Sequence, residues 1–211
     1  MRDVGLIETV AVRAGKAPLW PLHFARLERS AGLLGIPLPG IPAPAGGEDR
    51  VVRFLVDRRG VTATDRPPGP VDSLTLVIAD GVHPGYSLKT TEREPFDRAT
   101  VSARAAGADD GVLLSGGGAV AEAGRWTLLW WEGDRLTAPP LALGILDSVA
   151  RARIQQIYGE IVERTISPDE LDGIAIFAAN AARGIVPVAR IDGRRVPESP
   201  RTSELAARFW P

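Results

Sequence analysis

Residues 85–93, Gly-Tyr-Ser-Leu-Lys-Thr-Thr-Glu-Arg, follow a Pro84-Gly85 junction that we interpret as a linker between two halves of the chain. The chain has 25 Lys and Arg residues together, yet Lys16 and Lys89 are its only lysines. Arginine stays protonated in a protein, whereas a desolvated lysine amine can lose its proton and attack a carbonyl. Lys16 ends a predicted Arg-Ala-Gly-Lys turn. Lys89 is therefore either an ordinary solvated lysine or the residue that carries chemistry.

Composition excludes several classes of protein. The 211 residues are 45% hydrophobic and 24% charged, which is enough to bury a core in one large domain or two small ones. A net charge of -1 argues against a nucleic-acid partner. We see no membrane-spanning apolar run and no signal-peptide pattern, so we expect a cytoplasmic protein that binds no membrane. With no cysteine and two histidines, His23 and His83, no metal site is expected.

The first 84 residues have the pattern of a small α+β unit. Apolar residues at intervals of three and four predict a helix over 21–34 that ends at Gly35. Alternation over 6–12, followed by a turn and by Pro18-Leu19-Trp20, predicts a β-hairpin. Strands are predicted at 51–56 and 74–79, on either side of an arginine- and proline-rich turn over 58–70.

Residues 85–211 have the pattern of a larger α/β unit, so we predict two domains, 1–84 and 85–211. The predicted elements of the second domain are, in order, a helix over 97–106, strands at 111–114, 120–122 and 126–131, a helix after 144–146, strands at 174–178 and 186–191, and a short helix over 204–209. The Ser-Gly-Gly-Gly run at 115–118 is not followed by a helix. It therefore predicts a hairpin turn and not a nucleotide-binding loop.

Several segments, taken in chain order, resemble the class IV aminotransferase family, the fold type IV pyridoxal-phosphate (PLP) enzymes. This family includes branched-chain and D-amino-acid aminotransferases and 4-amino-4-deoxychorismate lyase. The similar segments are Gly5–Thr9, His23–Ile36, Leu88–Arg93, Gly107–Asp110 with Val120–Glu122, Gly144–Arg151 and Asn180–Val188. The resemblance implies a two-domain α+β / α/β fold of the D-amino-acid aminotransferase type. It also implies PLP in the cleft between the domains, a small-molecule amino substrate and a homodimer.

The resemblance assigns roles to four side chains. Lys89 matches the lysine that forms the Schiff base and then acts as general base at the substrate's alpha carbon. Glu122 matches the glutamate that faces the pyridine nitrogen, and Arg26 matches the arginine that binds the cofactor phosphate. Arg93 is expected at the cofactor's ring oxygen, where other members use tyrosine. From the residues alone, Glu122, Arg26 and Arg93 are also compatible with ordinary surface positions.

The family's phosphate-binding turn corresponds to the residues just before Arg151. The backbone amides of Ser148, Val149 and Ala150 are predicted to bind the phosphate, because a helix start presents N–H groups to an anion. Ser148 and Ala150 replace a glycine and a threonine of the family's turn, so the phosphate-binding hydroxyl is either missing or shifted to Ser148. Asn180 and Arg183 are predicted to bind the substrate, and Arg58 and Arg59 are further candidates for its carboxylate pocket.

The Lys-Thr-Thr-x-Arg segment is most similar to the lyase branch of the family. We therefore predict a lyase that eliminates pyruvate from aminodeoxychorismate to give 4-aminobenzoate for folate synthesis. A class IV aminotransferase for branched-chain or D-amino acids is the alternative, and a non-catalytic family member is a third. The third hypothesis is motivated by departures from the family: the altered phosphate turn, Arg125-Trp126-Thr127 after the glutamate, and a shortened N-terminus.

Overall fold

The computed structural model describes residues 4–211, which form a small and a large β-sheet with four α-helices. The strands are β1 (Leu6–Val12), β2 (Arg50–Asp57), β3 (Gly60–Arg66), β4 (Leu74–Val82), β5 (Asp110–Leu114), β6 (Val120–Ala123), β7 (Thr127–Glu132), β8 (Arg135–Ala138), β9 (Val162–Glu163), β10 (Ile176–Asn180), β11 (Gly184–Ile191) and β12 (Arg194–Arg195). The helices are α1 (Trp20–Leu34), α2 (Glu94–Ala105), α3 (Val149–Tyr158) and α4 (Pro200–Ala207). This mixed architecture agrees with the predicted fold class.

The small sheet has the order β1-β2-β3, and both pairings are antiparallel. Helix α1 packs on β1 because its apolar stripe recurs every three or four residues. Leu27 and Ala31 on this stripe bury against Leu6 and Val56 of the sheet. Burial of such a leucine side chain contributes about 2 kcal/mol. The helix ends at Gly35, whose φ of 60° is a conformation that glycine adopts without strain.

The large sheet has the order β6-β5-β4-β11-β10-β7-β8-β9, with β12 beside β11. Strand β4 runs parallel to β5 and β11, and α2 provides the crossover from β4 to β5. Successive residues of a strand face opposite sides of a sheet. In β7, Leu128 and Trp130 therefore join the core on one face, while Leu129 and Trp131 join the core on the other.

Two local expectations were wrong, and one strand was missed. The hairpin expected after β1 does not form, because β1 pairs with β2. Residues 13 and 16 form only an isolated bridge, and Trp20 is the first residue of α1. The turn expected over 58–70 contains β3, and β8 was not expected at all. Strand β3 is polar and mostly exposed, so it lacks the apolar alternation from which strands are recognised.

The change from the small to the large sheet falls at residues 67–73, before β4. The predicted domain boundary after residue 84 lies later, between β4 and α2, and stays a prediction. After β4, the chain returns to the small sheet at Lys89 before it enters α2. None of the described helices is long and apolar enough to cross a membrane.

Candidate active site

Lys89 is fixed to the small sheet through its backbone. The Ile7 N–H donates to the Lys89 carbonyl at 2.8 Å, and the Thr91 N–H donates to the Gly5 carbonyl at 2.8 Å. The Gly5 N–H in turn donates to Thr91 Oγ1 at 3.1 Å. Residues 89–91 thus continue the small sheet beside β1, and this pairing sets the position from which the Lys89 side chain extends.

All nine residues predicted to bind cofactor or substrate line one cavity of about 430 Å³, a size typical of ligand sites. They are Arg26, Lys89, Arg93, Glu122, Ser148, Val149, Ala150, Asn180 and Arg183. Arg58 and Arg59 are not among the lining residues. The cavity brings together side chains from β1, α1, the 83–93 segment, β6, the start of α3 and the turn after β10.

The Lys89 side chain makes no hydrogen bond or ion pair with another residue between 4 and 211. Burial lowers the pKa of its amine to about 7, and the nearby charges of Arg93 and Arg26 act in the same direction. The carboxylates of Glu8 and Glu122 oppose this shift. A substantial fraction of the amine is therefore unprotonated at neutral pH, which is the form that attacks carbonyls and accepts protons.

Glu122 lies on β6 with its carboxylate buried. Its Oε1 atom accepts hydrogen bonds from His83 Nε2 at 2.8 Å and from the Leu146 N–H at 3.2 Å. No residue between 4 and 211 donates to Oε2. Glu122 is therefore anchored through one oxygen and can accept a further hydrogen bond through the other.

Arg26 belongs to a buried triad with Glu8 and His23. Arg26 donates through Nε to Glu8 Oε1 at 2.8 Å and through Nη2 to Glu8 Oε2 at 2.6 Å. His23 Nδ1 lies 2.6 Å from Glu8 Oε2. Burial alone would raise the pKa of the Glu8 carboxyl, but Arg26 and His23 together lower it to about 2. The triad fixes the Arg26 guanidinium at the cavity wall and leaves its Nη1 uncommitted among the described residues.

Arg93 is held by several neighbours at once. Its Nη2 donates to the Gly124 carbonyl, and its guanidinium lies over the Tyr86 ring at 5.6 Å and the Phe96 ring at 5.2 Å. Tyr86, three positions before Lys89, also lines the cavity and was not predicted from the sequence. Its signal was weak, because a single tyrosine in a loop has no distinguishing pattern.

The start of α3 presents free backbone amides to the cavity. Ser148 caps the helix, since its Oγ accepts from the Arg151 N–H at 3.0 Å. The amides of Val149 and Ala150 have no intrahelical acceptor, as for every first helical turn. The Arg151 side chain is committed elsewhere, to the Pro139 carbonyl and the Glu163 carboxylate. An anion at this end of the cavity would meet two amides and the positive end of the helix dipole.

Four arginines, which we call the arginine mouth, line the rest of the cavity: Arg53 on β2, Arg66 on β3, Arg125 before β7 and Arg183 after β10. None of them forms an ion pair with a carboxylate between residues 4 and 211. Burial lowers the pKa of Arg183, and the nearby guanidinium groups of Arg66 and Arg125 lower it further. Of the four, only Arg183 was among the predicted site residues.

The side chain of Asn180 is hydrogen-bonded to backbone groups of its own turn and of Arg125. Its Oδ1 accepts from the Ala182 N–H at 3.1 Å and the Arg183 N–H at 2.9 Å, while Nδ2 donates to the Arg125 carbonyl at 3.3 Å. Asn180 thus holds the backbones of Arg125 and Arg183 together at the cavity. Among residues 4–211, no cluster of three or more His, Cys, Asp or Glu side chains is arranged to bind a metal ion.

Solved structures share this fold. A proposed 4-amino-4-deoxychorismate lyase from Legionella pneumophila is 21% identical, with a TM-score of 0.86 over 97% of this chain and 90% of that one. The branched-chain aminotransferase of Thermoproteus uzoniensis, solved with norvaline, is 25% identical, with a TM-score of 0.82 over 97% of this chain and 84% of that one. The branched-chain aminotransferase of Escherichia coli is 17% identical, with a TM-score of 0.82 over 98% and 84%. A search of curated protein sequences found no match.

The sequence also matches a family profile directly. The profile described as amino-transferase class IV matches residues 61–191, which is more than half of the chain. The matched region includes Lys89, Glu122 and the start of α3. The chain therefore belongs to the class IV aminotransferase family, whose members are PLP-dependent aminotransferases and lyases.

Proposed function

We propose that this enzyme is a lyase that converts 4-amino-4-deoxychorismate to pyruvate and 4-aminobenzoate. The observation that carries this proposal is the arginine mouth, where four guanidinium groups lack carboxylate partners among residues 4–211. Each of the two products has a carboxylate, so the substrate has two. A branched-chain amino acid has one carboxylate and an apolar side chain, so of the two substrates of a branched-chain aminotransferase only the dicarboxylate 2-oxoglutarate matches a wall of guanidinium groups.

The buried part of the cavity wall, which we call the inner end, is formed by Arg26, Glu122 and the start of α3, and these residues fit PLP as the cofactor. Arg26 and the amides of Val149 and Ala150 would hold its phosphate, with Ser148 keeping those amides in place. Glu122 would accept from the protonated ring nitrogen, and Arg93 would lie at the ring oxygen. When bound, PLP withdraws electrons from the carbon that bears the substrate's amino group.

Lys89 would move the protons of the reaction. Its Nζ, with a pKa lowered to about 7, can take a proton from the carbon that bears the amino group and later release it. The elimination needs no second substrate, because pyruvate and 4-aminobenzoate together contain all atoms of aminodeoxychorismate. A single lysine that shuttles protons is therefore sufficient, and no amino acceptor has to bind.

A class IV aminotransferase for branched-chain amino acids is the second candidate. One observation favours it: the apolar side chains of Ile7, Leu146 and Val149 in the cavity wall. The proposal of a lyase also includes a place in folate synthesis. For either candidate we propose a homodimer and a cytoplasmic location. Light scattering on the purified protein tests the dimer.

The deciding experiment compares two reactions of one purified PLP-loaded protein. We expect pyruvate release from aminodeoxychorismate and little transfer of an amino group from leucine or valine to 2-oxoglutarate. Lys89→Ala should remove both pyruvate release and the visible absorption of lysine-bound PLP. Efficient amino transfer without pyruvate release would establish the second candidate, and a protein that binds no PLP would exclude both.

A further inference from the structure

His83 is the second histidine of the chain and has no role in the function proposed above. It follows β4 directly, and its side chain is buried between Glu122 and the ring of Phe96, which it meets edge-on at 5.3 Å. Its backbone is fixed as well, because the His83 N–H donates to the Leu114 carbonyl at 2.7 Å. Both the ring and the backbone of His83 are therefore held in one orientation.

The hydrogen bonds of His83 determine which ring nitrogen carries hydrogen. The Gly85 N–H donates to His83 Nδ1 at 3.2 Å, so Nδ1 acts as an acceptor. The hydrogen of the neutral imidazole consequently lies on Nε2, which donates to Glu122 Oε1 at 2.8 Å. The Gly85 N–H thereby keeps the Nε2–H of His83 directed at the Glu122 carboxylate.

Glu122 connects two segments that reach the cavity. His83 comes from the segment that leads to Lys89, and Leu146, the other donor to Oε1, comes from the segment that leads to α3. These segments touch closely: a Cβ on Gly144 would lie 3.1 Å from Gly85 Cα. The two donors therefore fix one carboxylate oxygen in the protein, while Oε2 faces no donor among residues 4–211.

We propose that His83 is a positioning residue, which holds Glu122 so that Oε2 can accept a hydrogen bond from the protonated ring nitrogen of PLP. Without His83, the buried carboxylate would keep only the Leu146 N–H and could rotate away from the ring nitrogen. This inference rests on PLP as the cofactor and does not depend on which reaction the enzyme performs.

The test uses two substitutions at one position and two forms of the cofactor. His83→Leu removes the donor, whereas His83→Gln keeps an N–H donor at a similar reach. Each protein is titrated with PLP and with a PLP analogue that has carbon in place of the ring nitrogen. We expect His83→Leu to weaken PLP binding about tenfold or more, as for loss of a hydrogen bond to a charged group. His83→Gln should recover most of this loss.

The analogue separates positioning from a structural role. It cannot donate to Glu122, so His83→Leu and wild type should bind it with equal affinity. An equal loss for PLP and for the analogue, or no loss for either, would overturn the inference. Circular dichroism and thermal unfolding of the apoproteins check that each variant is folded. If wild type releases pyruvate normally and His83→Leu binds PLP as tightly as wild type, the role of His83 is rejected while the proposed function stands.

Discussion

The charged side chains at the two ends of the cavity differ in whether the protein supplies partners of opposite charge. At the inner end, charged side chains meet partners supplied by the protein: Glu8 pairs with Arg26 and His23, and Glu122 pairs with His83. At the outer end, the arginine mouth gathers Arg53, Arg66, Arg125 and Arg183 without a carboxylate partner among residues 4–211. The inner pairs are buried, whereas Arg53, Arg66 and Arg125 are exposed.

This difference separates what the fold needs from what a ligand needs. Buried pairs fix the geometry of the inner end before any ligand arrives, and they contribute to folding only while both partners are present. Like charges gathered at the outer end oppose folding slightly, so their benefit has to come from an anionic ligand. Substitutions at the inner end should therefore alter stability or cofactor binding, and substitutions at the mouth should alter substrate affinity.

The largest effect is expected at Lys89, which lies near the charges of Arg26 and Glu122 and has no hydrogen-bond or ion-pair partner between residues 4 and 211. Lys89→Met should lower kcat by a factor on the order of 10³ or more, because the group that moves protons is lost. The apoprotein should become more stable at pH 7, since a buried amine with a lowered pKa is replaced by an apolar side chain. Steady-state kinetics and urea unfolding measure the two effects, with the exposed Lys16→Met as control. Activity above a few per cent of wild type would contradict the role of Lys89.

The second effect is on stability and concerns Glu8. Glu8→Gln leaves the buried Arg26 without a counter-charge, so the free energy of unfolding at pH 7 should fall by about 3 kcal/mol. The pKa of Glu8 is lowered in the folded state to about 2 from 4.5. Its contribution is therefore fully present above about pH 4.5 and is lost as the pH falls towards 2.

Urea unfolding at pH 7 and pH 3 measures this contribution. The difference between wild type and Glu8→Gln should shrink at the lower pH, because at pH 3 wild-type Glu8 is almost fully protonated in the unfolded state but still mostly ionised in the folded state. Glu28→Gln is the matched control, because Glu28 is exposed and lies on α1, the helix that carries Arg26 and His23. A pH-independent difference would mean that the triad stabilises through packing and not through charge.

The third effect tests the mouth. Arg125→Gln and Arg183→Gln should each raise KM for the two-carboxylate substrate about tenfold, while kcat and PLP absorption stay close to wild type. Arg58→Gln is the control, because Arg58 donates to the Leu34 carbonyl outside the cavity. If Arg125→Gln or Arg183→Gln lowered the free energy of unfolding as much as Glu8→Gln does, the arginines would stabilise the fold and would not be reserved for a ligand.

The sequence was sufficient to predict the elements with strong periodicity. Helix α1 and the strands β5 and β7 have apolar patterns that their burial explains, and all were predicted within a few residues. The polar edge strand β3 has no such pattern and was missed. Lys89 stood out because the chain has only one other lysine, Lys16, among its 25 Lys and Arg residues.

The arginine mouth could not be predicted for the opposite reason. In a chain rich in arginine, Arg53, Arg66 and Arg125 have nothing in their local sequence that marks them. They come together only because β2 and β3 of the small sheet face the turn before β7 of the large sheet across one cavity. Such proximity is a property of tertiary structure, and short motifs do not encode it.

The smallest effect distinguishes the two tasks of Ser148. Ser148→Ala removes the cap of α3 and should lower the free energy of unfolding of the apoprotein by about 1 kcal/mol. Ser148→Asp keeps a capping oxygen but adds a negative charge beside the amides proposed for the phosphate, so it should preserve stability and weaken PLP binding severalfold. Thermal unfolding of the apoproteins and PLP titration measure the two quantities. If both variants bind PLP as wild type does, the phosphate does not lie at the start of α3, and the charge of Arg26 would have to hold it elsewhere on the inner wall.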